Sequence, residues 1–298
     1  MRITTSGTSD SVLAQLQKLG RRQAELQNQV ATGQRVFLPG DDPAAMGRIV
    51  AAQMERSSVT QYARNADAAL EYSKTSYEGL SQFKSLSDRA GELGVLGAGG
   101  LGPDAMKAYA AEVDQLLEQA ASIGNTRFRN DYIFGGTAVS AAPYALVRDA
   151  TGAITSVAYS GDTGRLSVPL ADGASIQPTP DSATNSGLAG FMQSLVALRD
   201  ALKSGSADAV QAVRPGLEDS ENLLVSSLSE HGAIQLRIEV AQTRQKNRLE
   251  EIDRQISQEA DVDLTSTIVN LNQTSQAYEA ALSSSSNLLK LSLLDYIR

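Results

Sequence analysis

From Leu264 onward, apolar and small residues recur at alternating steps of four and three: Leu264, Ile268, Leu271, Ser275, Tyr278, Leu282, Ser285, Leu289, Ser292 and Tyr296. That spacing is a heptad seam and predicts a helix over 263–298 with one stripe to bury. The same alternation occurs at the opposite end, through Val12, Leu16, Leu19, Gln23, Leu26 and Val30. The two terminal segments, 1–32 and 263–298, are therefore expected to pair as a coiled coil, with the rest of the chain inserted between them.

The inserted part begins with a break. Gly33, Pro39 and Gly40 supply turn chemistry, Asp42 is a good N-cap, and Pro43 fits the first turn of a helix. Asp41 and Asp42 read as capping groups rather than as a metal or acid/base pair. Beyond Pro43 the helical period runs through Met46, Ile49, Ala66, Leu70, Leu80 and Phe83 to about Leu93. At 1.5 Å per residue, about 50 residues make roughly 75 Å of helix, which predicts a rod. Pro103 opens a second helix through Met106, Val113, Leu116 and Ile123, and 125–136 reads as a polar loop, a short apolar strand and a glycine stop. Helices return at Leu188. After a Ser206 N-cap a very long one, Val210 to Ile256, is expected against the Pro43 helix, with its stripe shifting near Gln245. Segments 33–136 and 188–262 form this helical rod. Between them, 137–187 loses the helical period and becomes rich in Gly, Pro, Thr and Val. It reads as a small, peripheral β domain with strands at 156–159, 165–170 and 174–177 and a turn at Asp172-Gly173.

Composition then narrows the chemistry. The 298 residues carry a net charge of −8, which argues against a nucleic-acid partner. There is no Cys, no Trp and a single His, so thiol nucleophiles, thiolate metal sites and most imidazole catalysis are removed. Gly97, Gly99 and Gly102 match G-x-G-x-x-G, but a long helix precedes them and no βαβ context surrounds them, so they read as an interhelical turn. His231 reads as a packing or surface residue, and the run Ser283 to Ser286 as small seam and surface positions. No catalytic, cofactor or metal site is expected. The opening MRITTSGTSDSV lacks the apolar core of a Sec-type signal, and no run reaches the ~20 apolar residues of a membrane span.

Several ordered segments resemble the flagellin superfamily: the opening MRITT, the junction TGQRVFLPGDDPAAMGRIV, the loop NTRFRNDYIFGG, the segment YSGDTGRLSVPLADG, the stretch HGAIQLRIEVAQTRQKNRLEE, and the ending from DVDLTSTIVNLNQ to LSLLDYI. The resemblance implies a mainly α fold: a terminal coiled-coil domain, a helical rod and a small β domain at its far end. It also implies export through the flagellar type III channel, an export chaperone, and assembly with copies of itself in a ring or helix. The start, the ending and the small β segment favour the adaptor between hook and filament, touching the first hook-associated protein and flagellin. The alternative is the filament flagellin itself.

Ser275, Ser285 and Ser292 forgo the ~1.5–3 kcal/mol that a buried Leu would supply, so a two-helix coil on this seam alone is marginal. The expectation is that the termini order fully only among neighbouring subunits. The expected assembly interface comprises Val12, Leu16, Leu19, Leu26 and Val30 on the first helix. On the last it comprises Leu264, Ile268, Leu271, Tyr278, Leu282, Leu289, Leu293 and Tyr296.

Overall fold

A computed structural model describes the backbone of residues 5–100 and 102–296 and the side chains of 10–100 and 102–286. The chain divides into two compact units, Met1–Ser58 with Leu249–Arg298, and Val59–Arg248. The first unit holds helices α1 (Thr5–Thr32) and α6 (Leu264–Tyr296), together with the start of α2 (Pro43–Ala98) and the end of α5 (Ala207–Ala260). The second holds the remainder of α2 and α5, with α3 (Pro103–Gly124) and α4 (Ser182–Ser204). Its hairpins are β1 (Arg127–Phe128) with β2 (Asp131–Tyr132), β3 (Tyr144–Arg148) with β4 (Ile154–Tyr159), and β5 (Val168–Ala171) with β6 (Ala174–Ile176).

α2 starts where the sequence places it, because Asp42 Oδ1 accepts the Ala45 amide at 3.0 Å. It is one helix of 56 residues, longer than the 50 or so that its period shows. Within the second unit α2 and α5 run antiparallel. Asp67 accepts from Gln242, the Ser73 carbonyl from Gln235, and Lys84 pairs with Glu221. α5 runs through Pro215, which the helical period does not reveal. Gly97 lies inside α2, and a Cβ there would stand 2.6 Å from Leu202 Cδ2. This part of the glycine motif is a helix crossing, with no room for a phosphate.

The main core of this unit joins α2, α3, α4 and α5 around Phe83, which meets Phe134 and Phe191 edge-on with centroids 6.0 and 6.3 Å apart. The hairpins have no shared core. Tyr144 and Ile154 belong to the main cluster, while Leu170 and Ile176 pack with Ala66, Ala69, Ile234 and Ile238 of α2 and α5. The hairpins of the expected β segment, 137–187, thus pack on helices rather than around a core of their own. Two-stranded hairpins with so few large apolar groups are too weak alone and borrow helix surface instead.

Three boundaries also differ. Helix α4 begins at Ser182 rather than Leu188, because Asp181 accepts the Thr184 amide at 2.7 Å and the Ser/Thr/Asn run behind it is the first turn. In 125–136 the strands precede the apolar Ile133 and Phe134, which are buried outside any strand. Strand β3 carries too weak an alternation to be seen in the sequence. The Asp172-Gly173 turn does join β5 to β6.

Near Gln245 the inward stripe of α5 shifts through a polar residue: Gln245 is buried and donates to the Leu170 carbonyl at 2.8 Å. His231 is buried at 2 % exposure. That burial, with Arg165 nearby, pushes the imidazole pKa down to about 4.

Candidate assembly interface

α1 and α6 pack against each other as antiparallel partners: Gln23 Nε2 donates to Ser275 Oγ at 3.3 Å, and Tyr278 lies across Gly20. The α1 stripe is the one the sequence shows. Leu26 is 2 % exposed, and Val12, Leu16, Leu19, Gln23 and Val30 are half-buried.

The α6 stripe keeps part of the expected one, Leu271, Ser275, Tyr278 and Ser285, and departs from it elsewhere. Thr267 is buried and Leu271, Thr274, Ser275, Tyr278, Ala281 and Ser285 are half-buried, whereas Leu264, Ile268 and Leu282 stand 46, 45 and 45 % exposed. These three are thus not seam residues of the helix pair. Positions 267, 271, 274, 278, 281 and 285 also follow the four-three alternation, with the small Thr267, Thr274 and Ala281 facing α1 where Leu264, Ile268 and Leu282 were expected. At about 100° per residue the larger apolar residues fall on one shoulder of that seam. Leu289, Leu293 and Tyr296 lie outside the residues whose side chains are described.

The junction 33–42 fixes this helix pair to the ends of α2 and α5. Gly33 ends α1 with φ 71°, its carbonyl accepts the Val262 amide at 3.0 Å, and Gln34 bridges Asp261. Arg35 donates to the Glu259 carbonyl at 2.9 Å and reaches Asp42 at 3.4 Å. Val36 is buried with Ala45, Ile49 and Ala260. The Ala45 amide holds the Asp42 carboxyl below its ordinary value, and a bidentate bond from Arg48 does the same for Glu259. These surface pairs, with Arg56 and Asp253 at 2.7 Å, orient the junction more than they stabilise it.

The junction also presents a feature that its polar turn residues hide in the sequence. Asp41 Oδ2 accepts the amides of Phe37 and Leu38 at 3.1 and 2.8 Å, holding both side chains out at 62 and 57 % exposure. The apolar run Val36, Phe37 and Leu38 between Gly33 and Pro39 was the available signal. With Leu13, Val50, Met54 and Val269, Phe37 and Leu38 bring to nine of sixteen the large exposed apolar residues, among those described, that fall in the first unit. That unit has less than a third of the described side chains, so its surface is unusually apolar. Among the described residues no group of His, Cys, Asp and Glu could hold a metal ion, and no helix is long and apolar enough to cross a membrane.

With this geometry in place, residues 3–138 match the bacterial flagellin N-terminal helical region, a span that reaches from α1 past β2. Along its length the chain is similar to flagellar hook-associated protein 3. It is 26 % identical to the Escherichia coli (strain K12) protein over 284 residues, covering 89 % of this chain and 90 % of that one. It is 25 % identical over 320 residues to the Salmonella typhimurium (strain LT2) protein of the same name, along the full length of both. In fold it is similar to the crystal structure of Bacillus cereus FlgL, with a TM-score of 0.59 at 18 % identity, covering 68 % of this chain and 97 % of that chain.

Proposed function

We propose that this chain is a structural adaptor subunit of the bacterial flagellum, exported to the distal end of the hook and joining hook to filament. The observation that carries the reading is the apolar shoulder Leu264, Ile268 and Leu282, together with the exposed Phe37 and Leu38, on a unit whose terminal helices are already paired with each other. Its similarity along the full length to hook-associated protein 3 supports the same reading. Apolar surface left exposed by a finished helix pair serves contacts between chains. In this reading the terminal pair meets neighbouring copies, the first hook-associated protein below and flagellin above. An export chaperone covers the apolar shoulder before assembly. The chain carries no catalysis and no cofactor.

The test is deletion of the gene in the source bacterium. Cells lacking the chain keep hooks but release flagellin into the medium, and the intact gene restores filaments. Filaments of normal length and number on the deletion strain would sink the reading.

A further inference from the structure

The hairpin β1–β2 lies in the second unit and is not used by the reading above. Arg127 pairs with Tyr132 and Phe128 with Asp131, so Arg129 and Asn130 form a two-residue turn, with φ of 49° and 78°. A tight hairpin turn with two positive φ values favours Asn and Gly, and an arginine there is unusual. The hairpin is anchored by Phe128, edge-on to Tyr72 of α2 with centroids 4.7 Å apart. Arg127 lies over the Tyr132 ring at 4.4 Å and Arg129 over Phe128 at 5.2 Å. Both arginines are exposed, and neither has an ion pair among the described residues, in a chain with 34 acidic and 26 basic side chains. Stacking therefore holds two exposed arginine forks in place without an ion pair to this chain's own carboxylates among the described residues.

A complementary surface lies on the same unit. Asp88, Glu92, Glu218 and Glu221 rim a recess of about 380 Å³ floored by Leu217, with exposed Val95 at its edge. Lys84, Arg89 and Arg214 pair with these carboxylates and with Glu112, which leaves two negative charges in excess. Tyr72 and Asp88 are sixteen residues apart on α2 and so face directions about 160° apart around the helix. The hairpin cannot fold back onto this recess, but the hairpin of another copy can reach it.

We infer that the hairpin Arg127–Tyr132 of one copy docks its two arginines into the recess between α2 and α5 of the next copy. This rests on the adaptor reading and deepens it by naming one self-contact. The two surfaces differ, so the contact is heterologous and propagates as a ring or helix rather than closing as a dimer. The distance along α2 from Tyr72 to Gly91 sets an axial stagger of about 28 Å between neighbours.

The native chain has no cysteine, so cross-linking is clean. Asn130→Cys and Gly91→Cys are introduced together in the full chain, expressed in the deletion strain, and oxidised in isolated flagella. Gly91 has open space around its Cα, so it tolerates the change. A ladder of dimers, trimers and larger species is expected, absent from either single variant. With Arg127→Glu and Arg129→Glu added, the ladder falls at least tenfold, while the unassembled chain melts as before. Chain present in flagella with no ladder overturns the inference and leaves the adaptor reading standing. Chain absent from flagella overturns both.

Discussion

Replacing Ile268 with Lys separates surface that holds the helix pair together from surface that meets neighbours. Ile268 is 45 % exposed in the chain, on the shoulder of α6 about a quarter-turn from the α1 seam. Full burial of an Ile is worth ~1.5–3 kcal/mol, so covering the exposed part in an assembly supplies about 1 kcal/mol. A lysine there loses that gain and must also bury an unpaired ammonium, which costs several kcal/mol. The expected loss of assembly is at least ~3 kcal/mol per contact, or more than about 100-fold in affinity. In the unassembled chain the lysine stem covers the same helix surface while its charge stays in water, so melting shifts by only a few degrees. The assay is quantitative immunoblotting of flagella and culture medium from cells carrying the variant. Ala277→Lys is the control, half a turn away on the same helix and exposed. Ile268→Lys found in flagella at the level of Ala277→Lys would refute the assignment of this shoulder to assembly.

Other substitutions test the fold that carries the interface. Arg199 has only 4 % of its side chain exposed and donates to Asp114, Asp200 and the Ile154 carbonyl. Arg199→Ala should therefore cost about 3 kcal/mol in denaturant unfolding, since it leaves buried acceptors without partners. A Cβ on Gly79 would stand 2.7 Å from the buried Phe134 ring, so Gly79→Ala should destabilise by about 1–2 kcal/mol despite a helix-propensity gain. Gly190→Ala, with open space around it, should stabilise by ~0.5–1 kcal/mol in the same thermal melts. Burial, with Arg165 nearby, lowers His231 from 6.5 to about 4. The unfolded chain therefore binds a proton at higher pH than the folded one. Stability is full above about pH 6.5 and falls by roughly 3 kcal/mol as pH drops toward 4, a slope that His231→Asn should remove from pH-dependent unfolding curves.

The helices were legible wherever a local signal and a long period agreed. Asp42 and Pro43 mark the start of α2, and Val12 to Val30 mark the buried face of α1, because those residues have one apolar face and one cap to offer. α6 was only half legible. Two overlapping heptad series share Leu271, Tyr278 and Ser285, and a sequence cannot say whether a partner helix takes Leu264, Ile268 and Leu282 beside them or the smaller Thr267, Thr274 and Ala281. The large residues were visible as a seam, but their exposure in the helix pair was not. Residues Ser182 to Gly187 looked like loop because their helix signal sits in a single cap, Asp181. The β1–β2 turn was hidden because Arg129 holds a backbone conformation that its side chain does not advertise. Phe37 and Leu38 were masked by the turn chemistry around them, although only a carboxylate three or four residues on was needed to hold them out.

The most direct measurement of the adaptor claim is immunogold electron microscopy of isolated flagella with an antibody to residues 137–187. Gold is expected in one band, where hook meets filament. Gold along the whole filament would make the chain a filament subunit, and flagella without gold would contradict a flagellar role altogether.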